Sequence, residues 1–282
     1  EKIRNLQLLE QLLIRQKHLD PDLVAALANA KAAGYERWQK AKASADFGCF
    51  AGALSHLIAL RKEQARQLDE PRSCWETLAQ PFEPDLSLKR LQELFAPLRQ
   101  RLPVLLETVS NCSRPAIREW DFDEQTQQSL CELLLQQWGQ DERITCVARS
   151  PHPFSITLGP EDFRISNRVV PGQPLSCFLA TAHEWGHSLY EQGLTSQAHR
   201  WFSWPLGQAT SMAVHESQSL FWENRVARSR AFSERFWPHF QKSGAPINSA
   251  SSLWSEMNPL SPGLNRVEAD ELSYGLHILI RT

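Results

Sequence analysis

Apolar residues recur at helical spacing through most of the chain. Leu23, Ala26, Leu27 and Ala30 share one face of a 3.6-residue repeat, and Asp20 and Pro21 ahead of them supply a cap and a first-turn proline. A helix is therefore predicted from about Asp22 to Ala43, and the same spacing predicts another from about Phe47 to Leu68. Ser87 is placed to cap a third helix, which continues through Leu91 and Leu94 toward Val109 and which Pro103 should bend. A fourth starts at Asp123 and ends at Gly139, while the proline-bearing stretch from Gln80 to Asp85 reads as a loop. After residue 142 the pattern changes: Ile144, Thr145, Cys146 and Val147, then Phe154 to Leu158, then Phe163 to Val169, favour three short strands, the last two separated by Gly159 and Pro160. A small sheet or meander is expected there. Helical spacing returns from about Leu175 to Gln192, from Pro205 to about Arg228, and over Leu272 to Ile280. The fold class is mainly α with a small β-sheet, read as one domain over 1–282: a helical region 1–142, a β region 143–170, and helices over 171–282.

Composition narrows this little. With 282 residues and 42% hydrophobic residues the chain can bury a sizeable core. A formal charge of −2 argues against nucleic acid, since Arg61, Lys62 and Arg66 make only a local cluster on a solvated helix face. The ten tryptophans, Trp201, Trp204, Trp222 and Trp254 among them, have no basic residues interleaved and read as packing. Six cysteines without CxxC spacing point to reduced thiols and a cytoplasmic setting. No run of eighteen apolar residues is present, so no membrane span is expected.

The chemistry concentrates at His183, Glu184, Trp185, Gly186 and His187. On a helix, HExxH sends both imidazoles from one face toward one metal ion, with the carboxylate of Glu184 a step around the rim. Zinc in such a site lowers the pKa of a bound water to about 7, and a neighbouring carboxylate can take its proton, which implies metal-assisted amide hydrolysis. A catalytic zinc needs a third protein ligand. Glu191 continues the ladder but lies about 12 Å along the axis from His183, too far for one ion. A second helix must supply the ligand, and the segment from Pro205 to Arg228 carries His215, Glu216, Ser217 and Gln218 between Met212, Val214, Leu220 and Phe221. Glu216 has no Lys or Arg at the offsets that would pair it within its own helix, and is taken as the third ligand. His215 reads either as part of the site or as a satisfied interface histidine.

Five strings, in this order, resemble the carboxypeptidase Taq family of zinc metallocarboxypeptidases: SPHPF from Ser150, DFRIS from Asp162, HEWGHSLYEQG from His183, HESQS from His215 and RVEADELSY from Arg266. The resemblance implies a gluzincin-type helical metallopeptidase with its site in a cleft, zinc (or cobalt) held by His183, His187 and Glu216, and release of residues from peptide C-termini. An exopeptidase must hold a terminal carboxylate, which suits a guanidinium, and the resemblance puts Arg266 in that role. Tyr274 and His277, three residues apart on one predicted helix, are candidate donors to a developing oxyanion. His152 is a candidate substrate contact beside an edge strand that could pair with an extended peptide. Asp162 and Arg164 share a strand face and read as readily as an ion pair. The resemblance further implies a homodimer.

The departures from the family pattern are local, apart from length. Ser166 and Ser273 stand where threonine is usual, Gly275 where proline is usual, and the Ser196 to Ser203 stretch looks longer than the family form. The chain begins and ends within helical sequence and reads as a fragment truncated at both ends. Two other readings stay open: a related dipeptidyl or endopeptidase, and a catalytically weak fragment that keeps the zinc and peptide groove.

Overall fold

The computed structural model describes residues 1–68, 70–110, 119–260 and 269–281. Local capping sets the helix starts where the sequence places them. Asp20, in extended backbone, accepts a hydrogen bond from the Asp22 amide and opens α2 (Pro21–Ser44), which follows α1 (Lys2–Lys17). The buried residues of α2, Leu23, Leu27, Ala30, Gly34 and Ala41, form one helical stripe, and α2 packs against α3 (Gly48–Leu68). A short helix that the apolar pattern did not reveal, α4 (Cys74–Ala79), is held by a reciprocal cap: Ser73 accepts from the Glu76 amide and the Glu76 carboxylate accepts from the Ser73 amide. Ser87 caps α5 (Leu88–Ser110), which runs through both Pro97 and Pro103.

The described chain clusters into two compact units, residues 1–91 with 204–206, and residues 92–203 with 207–282. In the first unit, Asn5 is buried and its side-chain oxygen accepts from the Leu206 amide at 3.0 Å.

The second unit holds α6 (Glu124–Gln137), capped by Asp123, and the strands β1 (Thr145–Arg149), β2 (Phe154–Gly159) and β3 (Asp162–Asn167). Their order is β1-β3-β2, with β1 parallel and β2 antiparallel to the central β3. Of the expected small sheet or meander, the sheet forms, and its order is not that of a meander. Pro151 and Pro153 lack amide donors and cannot close a tight hairpin, so β1 and β2 flank β3 rather than each other. The Ser150 hydroxyl braces that link, lying 2.7 Å from the Ser166 hydroxyl and donating to the His152 carbonyl.

Phe163 and Ile165 of β3 are buried, and β3 packs against α7 (Pro174–Ala198). That helix continues six residues beyond the predicted end and takes in the start of the Ser196 to Ser203 stretch. Its other neighbours include α8 (Met212–Leu220), the π-helical turn Phe221–Ala227 that continues it, and α6. The unit is completed by α9 (Arg230–Lys242), α10 (Ala250–Met257) and α11 (Glu271–Ile280). Its core joins Trp120, Leu134, Cys177, Phe178, Phe236, Phe240 and Leu253, with Phe178 in edge contact with Phe236 and Phe240. The five described cysteines are free. Among the described residues no helix is long and apolar enough to cross a membrane.

The predicted helix from Pro205 to Arg228 is not continuous. A 3-10 turn at Pro205–Gly207 is followed by a break, and Ser211, in extended backbone, starts α8 by accepting from the Val214 amide. The apolar positions also mislead about which face is buried. Met212, Val214 and Phe221 are about half exposed, whereas Ser219 is fully buried.

Candidate metal centre

Seen along an ideal helix, His183 and His187 lie about 40° apart, Trp185 about opposite them, and Glu184 and Gly186 on the two flanks. The fold uses each position. Trp185 is completely buried with Leu135 of α6 and Ile165 of β3, which fixes the rotation of α7 about its axis. The histidines then face α8. Gly186 sits against the backbone of α8: a Cβ placed there would lie 2.6 Å from the Ser219 Cα and 2.7 Å from the Gln218 carbonyl oxygen. Only glycine allows this approach, and the approach delivers Glu216.

Glu216 Oε2 lies 3.3 Å from His187 Nε2 and 3.8 Å from His183 Nε2. One atom from each of the three side chains lies within 4.8 Å of the other two, and they are the group among the described residues able to hold a metal ion. Tetrahedral ligands at about 2.1 Å from zinc are separated by about 3.4 Å, so the observed spacing suits a single ion with small adjustments. The other Glu216 oxygen accepts from the Tyr274 hydroxyl at 3.2 Å, and the Ser219 hydroxyl donates to the Glu216 backbone carbonyl at 2.7 Å.

Glu184 is 7% exposed, and burial pushes its carboxyl up to about 7, with the nearby Glu216 and Glu223 adding to the shift and His183 partly offsetting it. Glu216 is held down to about 2, chiefly by the hydrogen bond from His187, against its own burial. Burial pulls His183 down, but the hydrogen bond and charge of Glu223, with Glu184 and Glu216 behind it, raise its pKa above the ordinary histidine value. Glu223 remains ionised for the matching reason: its burial is outweighed by His183 and Arg228.

The family model for the carboxypeptidase Taq (M32) metallopeptidases matches residues 1–282. The chain belongs to that family. It is 34% identical over 281 residues to a thermostable carboxypeptidase 1 of Thermus thermophilus, covering 95% of this chain and 54% of the relative. To carboxypeptidase 1 of Bacillus subtilis it is 31% identical over 251 residues, covering 86% and 49%. Among solved structures, an M32 carboxypeptidase from Deinococcus radiodurans R1 superposes with a TM-score of 0.88 at 28% identity, covering 99% of this chain and 57% of that one. The chain thus spans about half the length of the curated relatives it matches. As a metallopeptidase family, the carboxypeptidase Taq group implies a divalent metal, and the donor set of two imidazoles and a carboxylate fits one.

Of the other residues singled out from the family strings, His215 joins the cluster. Its ring stacks on His187 at 4.5 Å between centroids and its Nε2 lies 2.9 Å from Glu191 Oε1. Glu191, too distant to share an ion with His183, instead holds the neighbouring histidine. Tyr274 reaches the cluster through Glu216, with His277 one turn further along α11. His152 is exposed on the β1–β2 link, and among the described residues no hydrogen bond, ion pair or ring contact joins its side chain to the cluster. Asp162 and Arg164 form the ion pair, at 2.8 and 2.9 Å. Arg266 lies outside the described residues.

Two participants were not singled out from the sequence. Glu223 Oε2 lies 3.0 Å from His183 Nδ1, and its Oε1 accepts from Arg228 at 2.8 Å. The available signal was an acid seven residues after Glu216, which is two helical turns and the same face. Gly186, hidden in a variable position of HExxH, was the other.

The charges set the pH dependence of metal uptake. A protonated His183 cannot ligate, and its raised pKa means that protons compete at higher pH than for an ordinary histidine. Affinity should therefore be lost as pH falls through that raised value, with net proton release on binding. Calorimetric titration of the metal-free chain in buffers of different ionisation enthalpy measures both. Uptake without proton release at pH 6 would contradict the assignment.

Proposed function

We propose that this chain carries the metal centre of a zinc-dependent carboxypeptidase that releases residues one at a time from the C-termini of peptides. One observation supports the reading above others: two imidazoles of α7 and a carboxylate of α8 converge at ligand spacing beside a buried carboxyl poised near neutrality. In this reading His183, His187 and Glu216 hold the ion, zinc or cobalt. The ion would supply Lewis acidity and lower the pKa of a coordinated water to about 7. Glu184 accepts the proton as a peptide carbonyl is attacked and delivers it to the leaving amine, a task suited to a carboxyl whose pKa lies near the working pH. Its burial shields that proton from bulk water. Tyr274 steadies Glu216 in the free site, and either its hydroxyl, once released from Glu216, or His277 donates toward the carbonyl oxygen. His215 packs against His187 to fix the ring, Arg266 clamps the terminal carboxylate, and His152 contacts the substrate chain.

The test combines metal content with amino-acid release from one peptide offered with a free and with an amidated C-terminus. Release is expected from the free form alone. Glu216→Ala is expected to lose both the metal and the release, because two histidines without the third donor lose most of the affinity. Equal cleavage of the amidated peptide would favour an endopeptidase. Metal bound with no release from either would leave the chain as the binding portion of the enzyme.

A further inference from the structure

Glu223 hydrogen-bonds to His183, and the contacts on its far side give it a defined task. Both of its oxygens are used as acceptors, Oε2 from His183 Nδ1 at 3.0 Å and Oε1 from Arg228 at 2.8 Å. Arg228 is tied down in turn. Its guanidinium donates to the Met257 carbonyl at the end of α10, and its own carbonyl accepts from Asn258 at 3.0 Å. The π-helical turn Phe221–Ala227 that bears Glu223 packs on α7, and its capping residue is Arg228 itself. A line of hydrogen bonds thus runs from α10 through Arg228 and Glu223 to one ring nitrogen of His183.

We infer that Glu223 is a positioning residue that fixes the tautomer of His183, keeping the ring proton on Nδ1 and Nε2 bare toward Glu216. The inference rests on the metal-site reading above. An ionised carboxylate only accepts and a guanidinium only donates, so with Arg228 on one side the remaining group on the other must be an N–H. His183 meets that demand by carrying its proton on Nδ1. The bare Nε2 is the atom that faces Glu216, and it is the form a metal requires.

The same accounting predicts that the isosteric Glu223→Gln does more than remove a charge. Glutamine has a single acceptor oxygen. Arg228 can only donate, so it claims that oxygen and turns the amide –NH₂ toward His183. Nδ1 must then accept, and the ring proton moves to Nε2, into the ligand position. Arg228→Met in the same chain removes the claim and frees the amide oxygen for His183.

Ring-nitrogen ¹⁵N–¹H spectra of the metal-free chain at alkaline pH, with the signal assigned by His183→Gln, read the tautomer directly. The wild type is expected to show Nδ1 protonated and Glu223→Gln to show Nε2 protonated. Zinc affinity, measured by competition with a chromophoric chelator, should weaken roughly 10- to 100-fold in Glu223→Gln and recover in part in Glu223→Gln/Arg228→Met. A wild type protonated on Nε2 would overturn the inference, and so would a double variant that binds no tighter than the single one. Should Glu223→Gln not fold, the wild-type tautomer decides alone. If zinc fails to bind the wild type, the metal-site reading falls, while the tautomer spectrum still tests what Glu223 does.

Discussion

Replacing Glu184 by glutamine is expected to leave bound zinc at its wild-type level and to lower peptide hydrolysis by at least about 10²–10⁴-fold. The two readouts separate because Glu184 lies about 80° around the helix from the midpoint of the two histidines, beside the ligand set rather than in it. Its burial decides its chemistry. A carboxylate in open water is ionised far below neutrality and is a poor proton acceptor at pH 7, whereas burial brings this carboxyl up to about 7. A divalent cation, when bound, would favour the ionised form, and in the proposed reaction Glu184 would serve as a base whose conjugate acid returns the proton readily. Glutamine keeps the shape and a hydrogen-bonding oxygen but cannot take a proton. Metal content by mass spectrometry and initial rates on a free-terminus peptide measure the two effects, and equal turnover by the wild type and Glu184→Gln would remove Glu184 from the mechanism.

Adding one methyl group at Gly186 should be nearly as damaging without touching a ligand. The new Cβ would fall 2.6 Å from the Ser219 Cα and 2.7 Å from the Gln218 carbonyl oxygen. Both are main-chain atoms that no rotamer change can clear. Carbon contacts relax only beyond about 3.5 Å, so α8 must retreat by about 1 Å. Glu216 is carried on that helix, three residues before Ser219, while a metal site tolerates displacements of about 0.2 Å. Gly186→Ala should cost about 1–3 kcal/mol in stability, as overpacked cores do, and weaken zinc binding by at least about tenfold. Gly193 provides the control on the same helix, because an added Cβ there meets nothing within 4 Å. Gly193→Ala should leave zinc affinity unchanged. Thermal unfolding and chelator competition on the two variants decide the matter, and a Gly186→Ala chain with wild-type zinc affinity would show that close helix approach is not what positions Glu216.

The two variants test different parts of one arrangement. Glu184 is proposed to act through its proton affinity, which the surrounding burial sets. Gly186 acts through absence, by leaving room for a second helix. Both stand inside a five-residue string, flanking the two histidines on opposite sides.

Residue order by itself determined what depends on near neighbours. The period of a helix brings His183 and His187 to one face whatever else the chain does, and Asp20, Ser87 and Asp123 start their helices because a side-chain oxygen two or three residues from a free amide needs no tertiary help. The strand segments were equally legible, as was the need for a ligand from a second helix. Their pairing was not: the order β1-β3-β2 depends on where the chain goes after Pro151 and Pro153, which is a non-local outcome. The Pro205–Arg228 segment was read as one helix with an apolar buried face, and the folded chain breaks it at Ser211 and buries Ser219 instead. A backbone approaching Gly186 has room only for a small residue there. Tertiary structure alone made Glu223 and Arg228 a brace for His183, gave Glu191 to His215, and set the Glu184 carboxyl near neutrality. Each of these follows from burial and from contacts between elements far apart in sequence, and neither quantity is defined until the helices have packed.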